Sequence, residues 1–340
     1  MSRVTIKDIA HLAGVSVTTV SRALNDNTEI NETTRNRILK ICREQGYRKN
    51  LLARSLISSK TNVIGIIQPD ISGPFHAALA LHIETYARRQ GYQVMLCCGK
   101  PSDGRIDELF DFLIQQRVDG ILLTSSDNHA YDLLEKYQSM VPAVLLGMNA
   151  PVDSAYRINS VSTDNYMGGR LAAEHLHRLN HKDVIYLGLR SHSTTHRLRY
   201  LGFVETAEKL GMRVLTLENL AAASTIENGY RLAHELFLSP FHQTAIFAAS
   251  DMIALGVMQA ADELGIQIPQ QISLMGFDNL DYAALPAIQL TTFAQSPESL
   301  AKASVHLLLD LINSDDHTEY THKLLLPTLI ERNTCQTLAE

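Results

Sequence analysis

The sequence predicts a small all-α head followed by a larger α/β core built on parallel, doubly wound sheets. Residues 5–24, TIKDIAHLAGVSVTTVSRAL, contain two short segments of helical period separated by a glycine. From residue 63 onwards, short apolar runs alternate with segments of helical period. This alternation is typical of parallel strands with helices on both faces of the sheet. Because it restarts near residue 161, we expect two such sheets.

The first predicted helix of the head begins with a capping box. Thr5 is placed to cap it, and Asp8, three residues later, completes the reciprocal pair. Gly14 is placed to end the helix, because glycine adopts a left-handed turn at no steric cost. The apolar side chains predicted to face inward are Ile6, Ile9, Ala10 and Leu12.

The second predicted helix is capped by Ser16 and runs to about Asn25, with Val20 and Leu24 facing inward. Two helices joined by a tight turn place the start of the second helix in the major groove of DNA. An ordinary helical hairpin inside a globular domain is the alternative interpretation. The residues expected to contact DNA from this hairpin are Thr5, Ser16, Val17, Thr18, Thr19, Ser21, Arg22 and Asn25.

A third helix and a short hinge complete the N-terminal part of the chain. The third helix is predicted from Asn31 or Thr33 to about Gln45. Residues 51–57, capped by Asn50, form a helix too short to be stable alone, so we expect it to fold only on DNA, paired with a second copy. The residues of this segment expected to contact DNA are Asn50, Ala53, Arg54 and Leu56. The predicted domains are a helix-turn-helix domain over 1–49, a hinge and linker over 50–61, and the core over 62–340.

The charge distribution favours nucleic-acid binding by the head. The chain of 340 residues has a formal net charge of −6. Residues 1–60 contain eleven Lys/Arg and five Asp/Glu, a net charge of +6, which leaves −12 on the remainder. A basic head on an acidic core is the distribution expected if the head alone binds the phosphate backbone, although a solvated basic face gives the same numbers.

Other features exclude several classes of protein. The start MSRVTIKD lacks the apolar segment of a signal peptide, and no run of eighteen apolar residues occurs, so a cytoplasmic location is expected. The four cysteines have no metal-ligand spacing and are expected to be reduced thiols. The motifs GxGxxG, GxxxxGK[ST], GxSxG and HExxH are absent, so neither an enzyme nor a cofactor is indicated.

Residues 5–60 closely resemble the head and hinge of the LacI/GalR family of bacterial repressors. The matching patterns are TIKDIAxxAGVSxxTVSRxLN, TRxRI and GYxxNxxARSL, and segments such as RVDGILLTSS and VSTDNYMGGRLAAEHL extend the resemblance over essentially the whole chain. Lys49 departs from the pattern, because many members have proline there, and the hinge should therefore be less rigid. The resemblance implies a homodimer on palindromic operator DNA, with a small-molecule effector bound between the two lobes of a periplasmic-binding-protein-like core. Through the segment ARSL it also implies that Leu56 enters the minor groove as a wedge.

The predicted strands of the core fall into two sets. The first set is residues 63–68, 92–98, 120–124 and 143–146, and the second is 161–163, 184–187, 214–217, 245–248 and 272–276. By the same resemblance, the chain crosses between lobes near Ser160, Thr291 and Lys323. Lobe one is then about 62–160 plus 292–322, and lobe two is about 161–291 plus 323–340.

Residues that follow the strands are the candidates for effector binding, because ligands lie beyond the carboxyl ends of parallel strands. Arg199 joins them through the family pattern RLxGF, here RYLGF, and its guanidinium suits a hydroxyl pair, a carboxylate or a phosphate. The candidates are Asp70, Ser72, Phe75, Thr124, Ser125, Arg199, Ser250 and Asp278.

Two departures from the family pattern bear on the identity of the effector. Ser250 stands where many members carry asparagine, and Ser224 stands where sugar- and purine-binding members often place an aromatic ring. Neither a lactose-like nor a purine-like ligand is therefore indicated. Arg199, with Arg197 and Lys100 expected nearby, leaves an anionic or phosphorylated sugar open.

Three functions are compatible with these observations. The first, which we favour, is a repressor whose operator affinity is switched by a small metabolite, a sugar or sugar derivative. The second is a regulator of the same fold that answers to a protein partner. The third is a carbohydrate-processing enzyme with a helical appendage, since a doubly wound fold by itself excludes no chemistry.

Overall fold

The computed structural model describes residues 4–24, 30–47, 60–99, 104–148, 156–218, 224–314 and 319–339. It divides the chain into two compact units, Met1–Thr61 and Asn62–Glu340. We call the first unit the head and the second the core.

The head contains three helices, α1 (Ile6–Ala13), α2 (Val17–Leu24) and α3 (Glu32–Glu44). The predicted capping box is present, because the Thr5 N–H donates to Asp8 Oδ2 at 2.8 Å and the Asp8 N–H donates to Thr5 Oγ1 at 3.4 Å. Gly14 ends α1 at a φ of 63°, in the left-handed region. The side chains buried at the centre of the head are Ile9, Ala10, Ala13, Val20, Ala23, Ile38 and Cys42.

The prediction that Leu12 of α1 faces the interior of the head is wrong. The Leu12 side chain is 53% exposed, and Ala13 is buried in its place. Ala13 follows Ile9 by four residues and Ala10 by three, which puts these three side chains on one helix face. Leu12 lies outside that face despite its apolar character.

The core contains two six-stranded sheets, each formed around parallel strands. The first sheet has the order β11 (His322–Leu325), β5 (Asn159–Thr163), β4 (Ala143–Leu146), β3 (Gly120–Thr124), β1 (Val63–Gln68), β2 (Gln93–Cys98). The second has the order β12 (Thr328–Ile330), β10 (Thr291–Ala294), β9 (Ser273–Asp278), β8 (Ala245–Ala248), β6 (Asp183–Leu189), β7 (Arg213–Glu218). Only β12 runs antiparallel to its neighbour among these described strands.

The sheet pairing puts each of the three crossings within three residues of its predicted position, and it moves the predicted strand 161–163 from lobe two to lobe one. The strand β5, which includes the predicted first strand of lobe two, pairs with β4 and β11 in the first sheet, so the first crossing follows Thr163 and not Ser160. The strand β10 pairs with β9 in the second sheet, so the second crossing follows Ala294. The strand β11 belongs to the first sheet, so the third crossing follows Leu325. Lobe one is therefore 62–163 plus 295–325, because strand membership is decided by pairing partners that lie far away in the sequence.

Helices cover both faces of each sheet. Those of lobe one are α4 (Pro74–Arg89), α5 (Ile106–Gln115), α6 (His129–Tyr137) and α11 (Pro297–Asn313), and those of lobe two are α7 (Asn165–Arg178), α8 (Thr194–Lys209), α9 (Ile226–Phe237) and α10 (Asp251–Leu264). In β1, Ile66 belongs to the buried cluster that includes α4 and α11, whereas Ile67 belongs to the cluster that includes α5 and α6. Successive residues of a strand point to opposite faces, and the predicted doubly wound architecture follows.

Two glycines set the spacing of α7 and α8. A Cβ at Gly169 would lie 1.9 Å from the Arg199 carbonyl oxygen, and a Cβ at Gly202 would lie 2.0 Å from the Tyr166 carbonyl oxygen. Only glycine permits the two backbones to approach this closely. The contact fixes the position of Arg199 relative to α7.

No helix in the described part of the chain is long and apolar enough to cross a membrane.

Candidate functional site

A cavity of about 440 Å³ lies between the two lobes of the core. It is formed where strands of both sheets end, as expected for open parallel sheets. All eight residues predicted to bind an effector line this cavity: Asp70, Ser72, Phe75, Thr124, Ser125, Arg199, Ser250 and Asp278. Sequence reasoning therefore identified a set of residues that the fold brings together from both lobes.

Arg199 lies in the second turn of α8 and is only 3% exposed. Its guanidinium donates to the Ala249 carbonyl oxygen and, at 2.7 Å, to Asn165 Oδ1. The same group lies over the Phe277 ring, 3.5 Å from the ring centroid. These contacts hold the guanidinium rigidly at the floor of the cavity, and burial lowers the pKa of Arg199.

Two carboxylates lie in lobe two at this side of the cavity: Asp278 lines the cavity, and Asp251 is buried behind its wall. Asp251 is fully buried and accepts hydrogen bonds from the Thr292 hydroxyl and, at 2.8 Å, from the Leu280 N–H. Asp278 accepts a hydrogen bond from the Gln295 side-chain amide. Burial raises the pKa of both carboxyl groups well above their usual range, and repulsion from Asp251 raises that of Asp278 further.

Four buried polar atoms in the cavity wall have no hydrogen-bond partner within the described residues. They are Thr124 Oγ1, His196 Nδ1, Arg199 Nε and Ser224 Oγ. Buried polar groups in native proteins are almost always paired with protein or with water, so these four atoms are available to pair with a polar molecule in the cavity.

Several residues of the cavity wall were missed in the sequence, among them Arg190, His76, His196 and Gln295. Arg190 directly follows β6, so the rule that selected the other candidates applies to it as well. The sequence predicts the end of this strand at residue 187, whereas β6 continues to Leu189. Of the two cations expected beside Arg199, Arg197 is exposed and does not line the cavity, and Lys100 lies outside the described residues.

Direct hydrogen bonds join the lobes at the rim of the cavity. The Thr194 N–H, at the start of α8 in lobe two, donates to the Ser126 carbonyl oxygen of lobe one at 3.0 Å. The Thr194 hydroxyl donates to Asn128 Oδ1 at 2.6 Å. We call these two bonds the interlobe clasp.

In the head, the start of α2 presents a polar, exposed surface. The Thr19 N–H donates to Ser16 Oγ at 3.1 Å, so Ser16 caps the helix as predicted. Val17, Thr18 and Arg22 are exposed, whereas Thr19 and Ser21 are half-buried. The remaining predicted DNA contacts, Asn25, Asn50, Ala53, Arg54 and Leu56, lie outside the described residues.

Comparison with known proteins assigns the chain to a family. Residues 5–50 match the model of the bacterial regulatory proteins, lacI family, and residues 173–335 match that of a periplasmic binding protein-like domain. The HTH-type transcriptional regulator DegA of Bacillus subtilis (strain 168) is 32% identical over 339 residues, covering 99% of each chain. The HTH-type transcriptional repressor PurR of Haemophilus influenzae (strain PittEE) is 31% identical over 340 residues, covering 98% of this chain and 99% of the relative. The chain therefore belongs to the lacI family of bacterial regulatory proteins.

Solved structures agree with this assignment. The lac repressor dimer bound to operator and the anti-inducer ONPF is 26% identical, with a TM-score of 0.88 over 99% of this chain and 100% of that chain. A family member from Enterococcus faecium with bound ribose is 27% identical, with a TM-score of 0.70 over 82% of this chain and 100% of that chain. The CelR–cellobiose complex is 25% identical, with a TM-score of 0.71 over 98% of this chain and 100% of that chain. The predicted fold class and the role as a DNA-binding transcriptional regulator, not an enzyme, are confirmed.

Proposed function

We propose that the protein is a repressor that binds a palindromic operator as a homodimer. Its affinity for the operator changes when a small polar metabolite, a sugar or sugar derivative, binds in the interlobe cavity. The lac repressor dimer bound to operator supports the dimer and the operator. The relatives with bound ribose and cellobiose support the sugar. Since its target is the bacterial chromosome, the protein acts in the cytoplasm.

The observation that carries the proposal is the set of four unpaired polar atoms around the cavity. Hydroxyl groups of a sugar both donate and accept, so they would pair with the hydroxyls of Thr124 and Ser224, the imidazole nitrogen of His196 and the guanidinium of Arg199. Phe75 in the opposite wall offers an apolar face for a sugar ring.

Ligand binding would act on the arrangement of the lobes. A molecule held by Arg199 in lobe two and by Thr124 in lobe one favours the state in which the lobes are clasped. The effector changes operator affinity only through its different affinities for the two arrangements. In the dimer, a shift of one lobe against the other would change the spacing of the two heads, which must match half-sites about one helical turn apart.

In the head, we assign base contacts to the exposed start of α2. Arg22 would pair with the two major-groove acceptors of guanine, and Val17 and Thr18 would contact neighbouring bases. The hinge residues Ala53 and Leu56 would contact the minor groove at the centre of the operator.

Two measurements test the proposal. Sequencing of genomic fragments bound by the purified protein identifies the operator and the neighbouring genes. A thermal-shift panel of sugars and sugar derivatives, followed by operator titration with each compound that stabilises the protein, identifies the effector, because a ligand of the native state raises its melting temperature. A protein that binds an operator but responds to no small molecule would instead be a regulator controlled by a protein partner.

A further inference from the structure

We propose that the effector carries an anionic group, a phosphate or a carboxylate, that binds between Arg190 and the first turn of α8 in the lobe-two wall of the cavity. The inference rests on the proposed function, because it names the chemical class of the ligand in the same cavity.

Arg190 is a partly desolvated cation, and none of the described carboxylates supplies its counter-charge. It is half-buried in the cavity wall, and no carboxylate among the described residues forms an ion pair with it. Burial lowers the pKa of Arg190, and no described carboxylate opposes this effect. A partly buried guanidinium that has lost water and gained no anion is unfavourable, so an anionic ligand would relieve a cost already present in the fold.

The surroundings of Arg190 add to the positive potential. Arg190 and Arg199 both lie close enough to His196 to lower its pKa, in addition to the larger effect of burial. His196 Nδ1 and Arg199 Nε are both buried and unpaired within the described residues, and both side chains line the cavity. Arg199 is itself 3% exposed, which makes it a buried polar side chain with an unused donor at this site.

The first turn of α8 faces the same region through Thr195 and His196. The helix has 16 residues, and its N-cap residue Ser193 makes no side-chain capping bond. Backbone N–H groups at the start of a helix carry partial positive charge and bind phosphate or carboxylate oxygens. The helix terminus, Arg190 and Arg199 therefore converge on one volume.

The described acidic residues of the cavity do not neutralise Arg190. Asp70 Oδ1 accepts hydrogen bonds from the Ser72 N–H, the Ser72 hydroxyl and the Gly73 N–H, all in lobe one. Asp127 Oδ1 accepts from the His129 N–H in lobe one. In lobe two, Asp278 also lines the cavity, and both Asp278 and Asp251 interact with Arg199, whereas no described carboxylate offsets the burial of Arg190. Arg190 and the first turn of α8 are thus the part of the lobe-two wall left for an anion, which fits a polyol with a terminal anionic group.

Isothermal titration of the full chain with matched probes tests the inference. The probes are glucose, glucose 6-phosphate, glucuronate, ribose, ribose 5-phosphate and inorganic phosphate. A charge-assisted contact predicts that at least one anionic sugar binds about 10- to 100-fold more tightly than its neutral counterpart. The phosphate and carboxylate probes distinguish the two anions.

The variants decide whether Arg190 causes the preference. Arg190→Gln should reduce the anionic preference to within about threefold, Arg190→Lys should retain part of it, and Arg197→Gln, on the exposed face of α8, should retain all of it. Melting curves of each variant establish that it is folded. Equal binding of neutral and anionic probes, binding of no anionic probe, or a preference unchanged in Arg190→Gln would overturn the inference. A neutral sugar that binds and alters operator affinity would leave the proposed function intact, so the two failures are distinguishable.

Discussion

The close contact between α7 and α8 makes Gly202 a quantitative test of how the effector cavity is built. In Gly202→Ala the new Cβ would lie 2.0 Å from the Tyr166 carbonyl oxygen, so the helices must separate by about 1 Å or more to restore an ordinary contact. Overpacking of this kind costs about 1–3 kcal/mol. For a domain of this size, each kcal/mol lowers the melting temperature by about 2–4 °C.

The same displacement reaches Arg199, which donates across the two helices to Asn165 at 2.7 Å. A separation of about 1 Å would lengthen that bond beyond the usual limit for a hydrogen bond. We therefore expect Gly202→Ala to lower both the melting temperature and the affinity for the effector. Gly73→Ala is the control for stability: a Cβ there has no neighbour closer than 3.6 Å, so the expected loss is limited to the preference for glycine over alanine at the N-cap of α4, about 1 kcal/mol or less. A melting temperature of Gly202→Ala within about 1 °C of wild type would refute the argument.

Three further outcomes follow from individual side chains. Arg22→Ala should cost about 1–3 kcal/mol on the cognate operator and relax preference at one base pair per half-site; equal weakening on random DNA, measured by fluorescence anisotropy, would make Arg22 a phosphate contact. The folded-state pKa values of Asp251 and Asp278 are raised, so the free energy of unfolding should fall as the pH rises from about 4 through those raised values. Asp278→Asn should reduce this dependence of the unfolding free energy on pH, measured by urea denaturation at several pH values; an unchanged dependence would contradict the assignment. Thr194→Val removes the hydroxyl bond of the interlobe clasp and should weaken effector binding about 2- to 10-fold by calorimetry, with operator affinity of the free protein as the control; undiminished binding would show that the bond does not favour the ligand-bound state.

Local signals in the sequence predicted those parts of the fold that depend on neighbouring residues. The capping box of Thr5 and Asp8 is a contact over three positions, and it appears as expected. The lobe boundaries depend instead on pairing over long distances. The Ser160 hydroxyl and His322 Nδ1 share a hydrogen bond of 2.9 Å, although the two residues lie 162 positions apart in the sequence. Nothing in the sequence around either residue shows that both belong to the same sheet. The strand β5 was recognisable in the sequence, but its pairing with β11 was not.

The candidate site was predictable because its residues follow strands, and strand ends of one sheet share an edge. The rule failed for Arg190 through an error of two residues in the end of β6. It could not have shown which polar atoms lack partners, because this depends on the positions of individual side-chain atoms in the folded core. The unpaired state of Arg199 Nε, for example, follows from its neighbours Ala249 and Asn165 occupying only the other two guanidinium nitrogens.

One helix connects the ligand to the closure of the lobes. The first two turns of α8 carry Thr194, which forms the interlobe clasp, and Arg199, which lines the floor of the cavity. A ligand that binds to His196 and Arg199 therefore contacts the element that reaches across to Asn128 in lobe one. Helical hydrogen bonds make these two turns move as a unit, so a ligand that orders them also positions the Thr194 hydroxyl. Coupling between ligand and clasp then requires no path through the sheets, and we expect the Thr194→Val and Arg199→Gln variants to be non-additive in their effect on effector binding.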